Sequence, residues 1–333
     1  MQLLVTGGAG FIGSNFIRWM LARQPDCQVT NLDKLTYAGN PENLREVERD
    51  PRYTFRKGDI CDPAAVAEAM AGCEVVVNFA AETHVDRSIE DPEAFLRTNM
   101  LGVHVLLQEA RRREVRLFVQ ISTDEVYGSI PEGAFSESDP LTPSSPYSAS
   151  KAGGELLARS YWITYRFPVI VTRAANNIGP CQYPEKVVPL FATNALEGKP
   201  LPIYGDGLQQ RDYMHVEDHC AALELLLARG VPGEIYNVGA ENHLANIAMA
   251  RLVLAELGKP ESLLEHVADR PGHDWRYAVS SQKLGALGWA PRHNAEQAIR
   301  ATARWYAEHP DWWRPIKDGQ RYREYYQRTY SGR

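Results

Sequence analysis

The segment Thr6-Gly7-Gly8-Ala9-Gly10-Phe11-Ile12-Gly13 follows an apolar run at residues 2–6 and opens an amphipathic stretch near 12–23. Glycines at 7, 10 and 13 permit a tight strand-to-helix turn, close backbone approach to a pyrophosphate, and close packing of helix on strand. The amino terminus of the helix then faces the negative phosphates. A glycine-rich turn on its own also occurs as plain structure. Here Asp33 stands 20 residues after Gly13, at the end of the second apolar run. A carboxylate at that place accepts hydrogen bonds from both ribose hydroxyls of NAD and repels a 2′-phosphate. Lys34, directly after it, could answer such a phosphate, which keeps NADP as the alternative to NAD. Asp59 and Ile60 close the third run and would flank the adenine, although Asp59 could instead cap a helix beginning near Pro63.

This turn sits in a regular alternation. Apolar β-rich runs at 2–6, 28–32, 53–56, 74–79, 116–122 and 168–174 are separated by amphipathic segments near 12–23, 42–49, 64–71, 93–112 and 147–166. Strands separated by helices imply right-handed crossovers and a buried parallel sheet, an α/β fold of the Rossmann-type doubly wound kind. After residue 175 the rhythm changes: prolines at 180, 184, 189, 200 and 202 and glycines at 205, 207 and 233 shorten the elements. We expect residues 1–175 to form the dinucleotide-binding domain, with some later segments returning to it. Residues 176–333 should form a smaller, discontinuous substrate-binding domain.

Tyr147 and Lys151 lie one helical turn apart and therefore face the same way. A phenol is a poor base at neutrality, and a lysine ammonium nearby favours its ionised form and can also hold a ribose. Tyr-x-x-x-Lys occurs by chance in many helices; its place after the fifth strand of a dinucleotide fold gives it chemical meaning. Ahead of it, Thr123, Asp124 and Glu125 follow the apolar strand 117–121, where a doubly wound sheet presents its ligand site. Two carboxylates facing one site have their pKa values pushed apart, leaving one acid and one base. Such a pair suits elimination of water across a sugar C5–C6 bond. That elimination first requires oxidation of C4 to a ketone, because the C5 hydrogen is otherwise not acidic. The redox pair and the carboxylate pair thus belong to one reaction, an internal redox dehydration. A solvent-facing acidic turn is the plain alternative.

Composition narrows the partners. The chain has 333 residues, 44% hydrophobic and 23% charged, with a net charge of −6, so nothing draws it to nucleic acid or an anionic membrane. Five dispersed cysteines without Cys-x-x-Cys spacing suggest neither a disulfide framework nor a zinc knuckle. Met1-Gln-Leu-Leu-Val enters a strand at once and no apolar run reaches membrane-spanning length, from which we expect a cytoplasmic protein without membrane partners. His215, Glu217 and His219 lack zincin spacing and an evident third ligand, so no metal is expected; a helix should start near Val216. The aromatic cluster Trp305, Tyr306, Trp312, Trp313, Tyr322, Tyr325 and Tyr326, without a basic groove, reads as core and interface packing.

These motifs together resemble the nucleotide-sugar 4,6-dehydratases of the extended short-chain dehydrogenase/reductase superfamily. The likeness runs from TGGAGFIG at residue 6 through LDKLTYAGN, AAETHVDRSI, STDEVYG, YSASKA, NNIGPCQYPEK, LPIYGDGLQQRDYMHVEDH and RPGHDWRYA to the terminal TYSGR. It implies catalysis by Thr123, Asp124, Glu125, Tyr147 and Lys151. Tyr147 would take the 4-hydroxyl proton as C4 is oxidised. Glu125 would remove and return the C5 proton, Asp124 would protonate the leaving 6-hydroxyl, and the cofactor would end as it began. The resemblance implies NAD contacts by Gly7, Gly10, Phe11, Ile12, Gly13, Asp33, Lys34, Leu35, Thr36, Asp59, Ile60, Ala80, Ala81, Thr98, Ser122, Tyr147, Lys151 and Asn177. It implies a nucleotide-sugar cleft lined by Thr83, Thr123, Asn176, Lys186, Val187, Pro202, Tyr204, Arg211, Asn237, Arg270, His273 and Tyr330, although Val187 and Pro202 could equally be packing. A homodimer and a dTDP-glucose substrate are implied, with UDP-glucose as the nearest alternative and 4-epimerisation or decarboxylation further away. Asp124 argues against the decarboxylases and GDP-mannose dehydratases, which carry serine there. The usual Asn-Asn-Tyr-Gly-Pro-Tyr is here Asn176-Asn177-Ile178-Gly179-Pro180-Cys181, which removes two rings from the pocket, and Thr83 replaces the usual serine while keeping the hydroxyl.

Overall fold

The computed structural model describes residues 1–269 and 274–330, the last two by backbone alone. Its strands are β1 (Gln2–Thr6), β2 (Gln28–Asp33), β3 (Tyr53–Lys57), β4 (Val75–Asn78), β5 (Leu117–Thr123), β6 (Val169–Ala174), β7 (Asn176–Ile178), β8 (Leu201–Tyr204), β9 (Gln210–His215), β10 (Ile235–Val238), β11 (His243–Ala245) and β12 (Leu264–Val267). The helices are α1 (Phe11–Arg23), α2 (Pro63–Ala69), α3 (Val85–Glu90), α4 (Pro92–Leu96), α5 (Val103–Arg112), α6 (Pro146–Tyr165), α7 (Val187–Glu197), α8 (Val216–Arg229), α9 (Asn246–Glu256), α10 (Gln282–Gly285), α11 (Ala295–Glu308), α12 (Pro310–Asp318) and α13 (Gln320–Tyr330).

Seven strands form the main sheet in the order β10-β6-β5-β4-β1-β2-β3, with every pair parallel. Strand β5 is buried along its whole length, as a central strand covered by helices on both faces must be. One apolar layer joins Leu3, Val5, Phe16, Ile17, Leu117 and Val119 to Leu223 and Leu226 of α8; the other joins Leu4, Val76, Leu106, Phe118 and Ala158. The order reverses between β1 and β4, which opens a crevice at the carboxyl ends of the strands.

The later half of the chain is divided. Strand β10 returns to extend the main sheet beside β6, and α8 packs with the sheet's first helix. The short sheet β11-β9-β7 and the pair β12-β8 instead gather around a separate core of Ile178, Phe191, Ile203, Tyr213, Met249, Ile299 and Trp313. The aromatic cluster belongs to this region, with Tyr306 fully buried and Trp313 1% exposed.

Two expected helices differ. The stretch 42–49 is a single 3₁₀ turn, Pro41–Leu44, followed by turns. Asn40 caps it through Glu42 N–H, and Asn43 is held by Ala9 O at 2.9 Å and by Trp312 Nε1 at 2.8 Å. Such side chains tie the backbone to its surroundings rather than to a helical ladder. The expected helix 93–112 is interrupted by a π-helical turn, Arg97–Gly102. The cause is Asn99. Its Oδ1 accepts Glu82 N–H at 2.9 Å, and its Nδ2 donates to Glu82 O at 3.1 Å and Ser150 Oγ at 2.9 Å. A π-turn of this kind commonly marks a functional site, and this one carries Thr98 to the crevice.

Candidate active site

The glycine turn is required by its neighbours. Gly7 has φ +68°, and a Cβ there would lie 2.7 Å from the Ala80 backbone; one on Gly13 would lie 2.5 Å from Gly7 O. Gly10 caps α1 without any side-chain bond, which leaves the first helical N–H groups open toward the crevice. Asp33 ends β2 with both oxygens aimed at main chain: Oδ2 accepts Ala9 N–H at 2.9 Å and Oδ1 accepts Leu35 N–H at 2.7 Å. A carboxylate retains further lone pairs for ribose hydroxyls. Lys34 is committed to Asp59 by an ion pair of 2.8 Å, which draws its charge away from any 2′-phosphate. The cap of α2 is Asp62 rather than Asp59. The cradle therefore fits a dinucleotide with a free 2′-hydroxyl.

The groups expected to react stand where β5 ends and α6 begins. Thr123 closes the strand, caps the 3₁₀ turn Asp124–Tyr127, and accepts Glu125 N–H at 3.3 Å. The same hydroxyl donates to Asp124 Oδ1 at 3.2 Å and is hydrogen-bonded to Tyr147. A Ser145–Ser148 capping box with Pro146 starts α6 and sets Tyr147 in its first turn. Burial, then Glu125 and Asp124, push the Tyr147 phenol above its ordinary pKa, against the Thr123 hydrogen bond. Lys151 Nζ donates to Ile121 O at 2.6 Å, and burial lowers its pKa to about 8. The expected lowering of the tyrosine by this lysine is thus not what the geometry displays, since the ammonium is directed at a carbonyl. Asp124 is 2% exposed, and burial followed by the Glu125 and Asp212 charges raises its carboxyl well above the carboxylate range. Burial of this kind favours the protonated form of the carboxyl relative to one in water.

Every expected cofactor residue except Leu35 lines one continuous cleft, as do Thr83, Thr123, Glu125, Asn176, Lys186, Val187, Pro202, Tyr204 and Arg211. Leu35, at φ +56°, lines an adjoining recess with Arg87 and Tyr325 and offers the site only its backbone N–H to Asp33. Asp124 lies behind the lining of the cleft, and its Oδ2 has no hydrogen-bond partner among the described residues. Asn237 does not reach the cleft either. Fully buried in β10, it accepts Tyr127 O–H at 2.8 Å and donates to Phe135 O at 3.1 Å, so its side chain is spent in the core. Arg270 and His273 lie outside the described residues, as does the side chain of Tyr330.

Residues in and around the cleft also escaped sequence reasoning. Tyr277 lies in the stretch RPGHDWRYA and faces Arg211, whose guanidinium sits 4.5 Å from its ring centre. Arg87 stacks between Tyr37, at 4.0 Å, and Tyr325, at 4.6 Å, and pairs with buried Glu185 at 2.8 Å. It joins the loop after β2, α3, the segment before Lys186 and the carboxyl-terminal helix; no local spacing signals that meeting. His219 hydrogen-bonds Asn177 Oδ1 at 3.1 Å and, with its pKa lowered to about 4 by burial, acts as a neutral support. The third ligand not evident from spacing does have a candidate, His293, which with His215 and Glu217 brings one donor atom each within 4.8 Å. His215 Nδ1 already accepts Glu217 N–H, and His293 Nδ1 faces Asp218 at 3.0 Å, at a helix amino terminus whose dipole disfavours cations.

A parallel sheet carrying a glycine turn, an acid closing its second strand and a tyrosine–lysine helix over the same crevice defines an extended short-chain dehydrogenase/reductase. The family model described as GDP-mannose 4,6 dehydratase matches residues 4–302, and the chain belongs to that family of nucleotide-sugar dehydratases. It is 48% identical over 322 residues to a dTDP-glucose 4,6-dehydratase of Streptomyces niveus, spanning 95% of this chain and 96% of the relative. To an Escherichia coli dTDP-glucose 4,6-dehydratase it is 45% identical over 352 residues, 96% of this chain and 97% of the relative. The crystal structure of DesIV, a dTDP-glucose 4,6-dehydratase from Streptomyces venezuelae with NAD and TYD bound, superposes with a TM-score of 0.93 at 48% identity, covering 95% of this chain and all of that one.

Proposed function

We propose that the protein is a dTDP-glucose 4,6-dehydratase that uses NAD and yields dTDP-4-dehydro-6-deoxy-glucose and water. The observation that carries this reading is the pairing of Asp124 and Glu125 in the turn that follows β5, with Asp124 buried and its carboxyl raised above the ordinary range by burial and the Glu125 charge, and with Glu125 and Tyr147 lining the same cleft. A 4-epimerase needs no such acid–base pair. Relatives of this name on near full length in both chains support the choice of nucleotide.

The glycine turn, Asp33, the Lys34–Asp59 pair, Ala80, Ala81, Thr98 and Ser122 would hold the cofactor, and Lys151 and Asn177 would orient its reactive end. Bound NAD supplies the acceptor and donor of the electron pair that leaves C4 and returns to C6. Tyr147 takes the 4-hydroxyl proton. The resulting ketone acidifies the C5 hydrogen, which Glu125 removes, while Asp124 protonates the departing 6-hydroxyl. Glu125 then returns its proton to C5. Arg211, Lys186 and Tyr204 would bind the diphosphate and base, with Thr83 and Asn176 at the sugar, and Val187 and Pro202 closing the wall.

Residues 1–175 with 216–240 form the cofactor-binding part in this reading, and the remainder the nucleotide-sugar part. Exposed Leu96, Leu101, Leu156 and Ile163 around α4–α6 support a homodimer. Five free cysteines, and the absence among the described residues of a helix long and apolar enough to cross a membrane, support a cytoplasmic address. The test offers dTDP-glucose and UDP-glucose side by side and identifies the product by NMR. A 4-keto-6-deoxy sugar from the thymidine nucleotide is expected. An epimer, or a preference for UDP-glucose, would overturn the assignment.

A further inference from the structure

We propose that Asp274 is a positioning residue for the nucleotide-sugar site: its carboxylate ties the segment carrying Tyr277 to the start of α6 and thereby holds Arg211 ready for the substrate diphosphate. The proposal rests on the dehydratase reading above, which gives Arg211 that ligand. Asp274 is not among the described residues that line the cleft, so it acts through its neighbours. One oxygen, Oδ2, accepts two hydroxyls, from Ser144 at 2.6 Å and from Tyr277 at 2.5 Å. Bonds of this length from a hydroxyl to a carboxylate are of the strong, charge-assisted kind. Ser144 stands directly before Ser145, the cap of α6, whose first turn carries Tyr147. The carboxylate therefore links the element that brings the phenol to the cleft with the segment that supports Arg211.

Arg211 rests on that segment through both its main chain and its ring. Nη2 donates to Asp274 O at 3.0 Å, and Nη1 donates to Gln210 O at 2.7 Å and to Trp275 O at 3.4 Å. The guanidinium lies 4.5 Å from the ring centre of Tyr277, which is 4% exposed. Three N–H groups are thus spent on main chain, and the guanidinium keeps Nε–H and the second N–H of Nη2. Those two form one side of the fork with which an arginine takes a phosphate in bidentate fashion, and Arg211 lines the cleft. The rest of the segment is held by backbone alone: Gln210 N–H donates to Trp275 O at 2.9 Å, Ile130 N–H to Arg276 O at 3.0 Å and Phe135 N–H to Ala278 O at 2.9 Å. Loss of the Asp274 carboxylate would therefore loosen Tyr277 and Arg211 while the chain beneath them keeps its place. Arg211 contributes at the diphosphate, away from the reacting carbons, so the effect falls on binding rather than on chemistry.

The experiment compares full-length wild type, Asp274→Ala, Asp274→Asn and Tyr277→Phe by steady-state dehydration of dTDP-glucose and by isothermal titration with dTDP and with NAD. Asp274→Ala should raise KM for dTDP-glucose and Kd for dTDP about tenfold, with kcat within about threefold of wild type and NAD affinity unchanged. Asp274→Asn keeps an acceptor oxygen and should return KM to within about threefold of wild type. Tyr277→Phe, which keeps the ring beneath Arg211, should raise KM by about threefold and raise it no further when added to Asp274→Ala. Should Asp274→Ala fail to fold, the double variant Ser144→Ala with Tyr277→Phe strips both hydroxyls from the carboxylate and tests the same clamp. Wild-type KM and Kd in Asp274→Ala would overturn the proposal. So would a loss confined to kcat, an asparagine variant no better than alanine, or NAD affinity falling as far as dTDP affinity, the mark of a general structural defect. If wild type makes no 4-keto-6-deoxy sugar, the dehydratase reading fails, while the change in dTDP affinity still decides the role of Asp274. Wild type that does not bind dTDP would overturn both.

Discussion

Lys151 donates its ammonium to the main-chain carbonyl of Ile121 at 2.6 Å, two residues before the strand end that carries Thr123. This bond fastens α6 to β5 at the point where both bring their candidate groups to the cleft, so the one-turn spacing of Tyr147 and Lys151 helps set the distance between phenol and carboxylates. The relationship explains how the tyrosine and the acidic pair come to stand together although they lie on different elements. It also means that replacing Lys151 would disturb the placement of Tyr147 as well as remove a charge.

Tyr147→Phe and Glu125→Gln should fail at different steps. The phenylalanine variant lacks the group that accepts the 4-hydroxyl proton, so oxidation itself should slow by about 10²–10⁴-fold. Glu125→Gln leaves oxidation possible and removes the base for C5. Incorporation of solvent deuterium at C5, followed by NMR, separates them. Deuterium entering C5 at the parent rate in Glu125→Gln would show that another group is the base.

Asp124→Asn should abolish dehydration and raise stability at neutral pH. Burial and the Glu125 charge lift the folded pKa of Asp124 above its unfolded value. Between those two values the folded state binds more protons than the unfolded one. Its contribution to stability is therefore fully present below the unfolded pKa and is lost as pH rises toward the folded pKa. Asparagine removes that dependence, and a Tm higher by about 2–5 °C at pH 7–8, with no gain near pH 3, is expected by scanning calorimetry. An unchanged Tm at pH 8 would mean that the carboxyl is solvated.

Asp33→Ala should weaken NAD binding by about 1.5–3 kcal/mol, the scale of hydrogen bonds to a charged group. Part of the loss arises in the turn, because the carboxylate also holds Ala9 and Leu35 N–H. Lys34→Ala should leave NAD preferred over NADP, since its ammonium serves the partly exposed pair with Asp59. Isothermal titration of both variants with both cofactors checks this; tighter NADP binding by wild type than by Lys34→Ala would count against it.

Glu155→Ala should cost about 3–5 kcal/mol, because it strands a buried guanidinium. Arg173 and Glu155 meet at 2.6 Å with side chains 3% and 2% exposed, and Arg173 also donates to the Tyr127 hydroxyl oxygen in the turn just beyond Glu125. Replacing both, as Glu155→Leu with Arg173→Met, should recover much of the loss in denaturant unfolding. A double variant no more stable than Glu155→Ala would show that the pair is not coupled in this way.

Local spacing was enough for much of this protein. The glycine turn, the acid closing β2, the strand end at Thr123–Glu125 and the one-turn Tyr147–Lys151 pair are all readable because each is made within a few residues, where backbone geometry dictates what side chains do. Alternating apolar runs likewise revealed six parallel strands, the central ones because a strand buried on both faces must be apolar, although the edge strand β3 is exposed over most of its length. The return of β10 to the main sheet was not readable in detail, and with it went the assignment of Asn237, whose core partners Tyr127 and Phe135 lie about a hundred residues away. The π-turn at Arg97–Gly102 depends on Asn99 meeting Glu82 and Ser150 across three segments. The burial of Asp124 behind the cleft, the stacking of Arg87 between Tyr37 and Tyr325, and the meeting of His293 with His215 have the same origin. Each depends on distant segments being packed together, and a carboxyl's protonation state or a guanidinium's partner is set by that packing rather than by its neighbours along the chain.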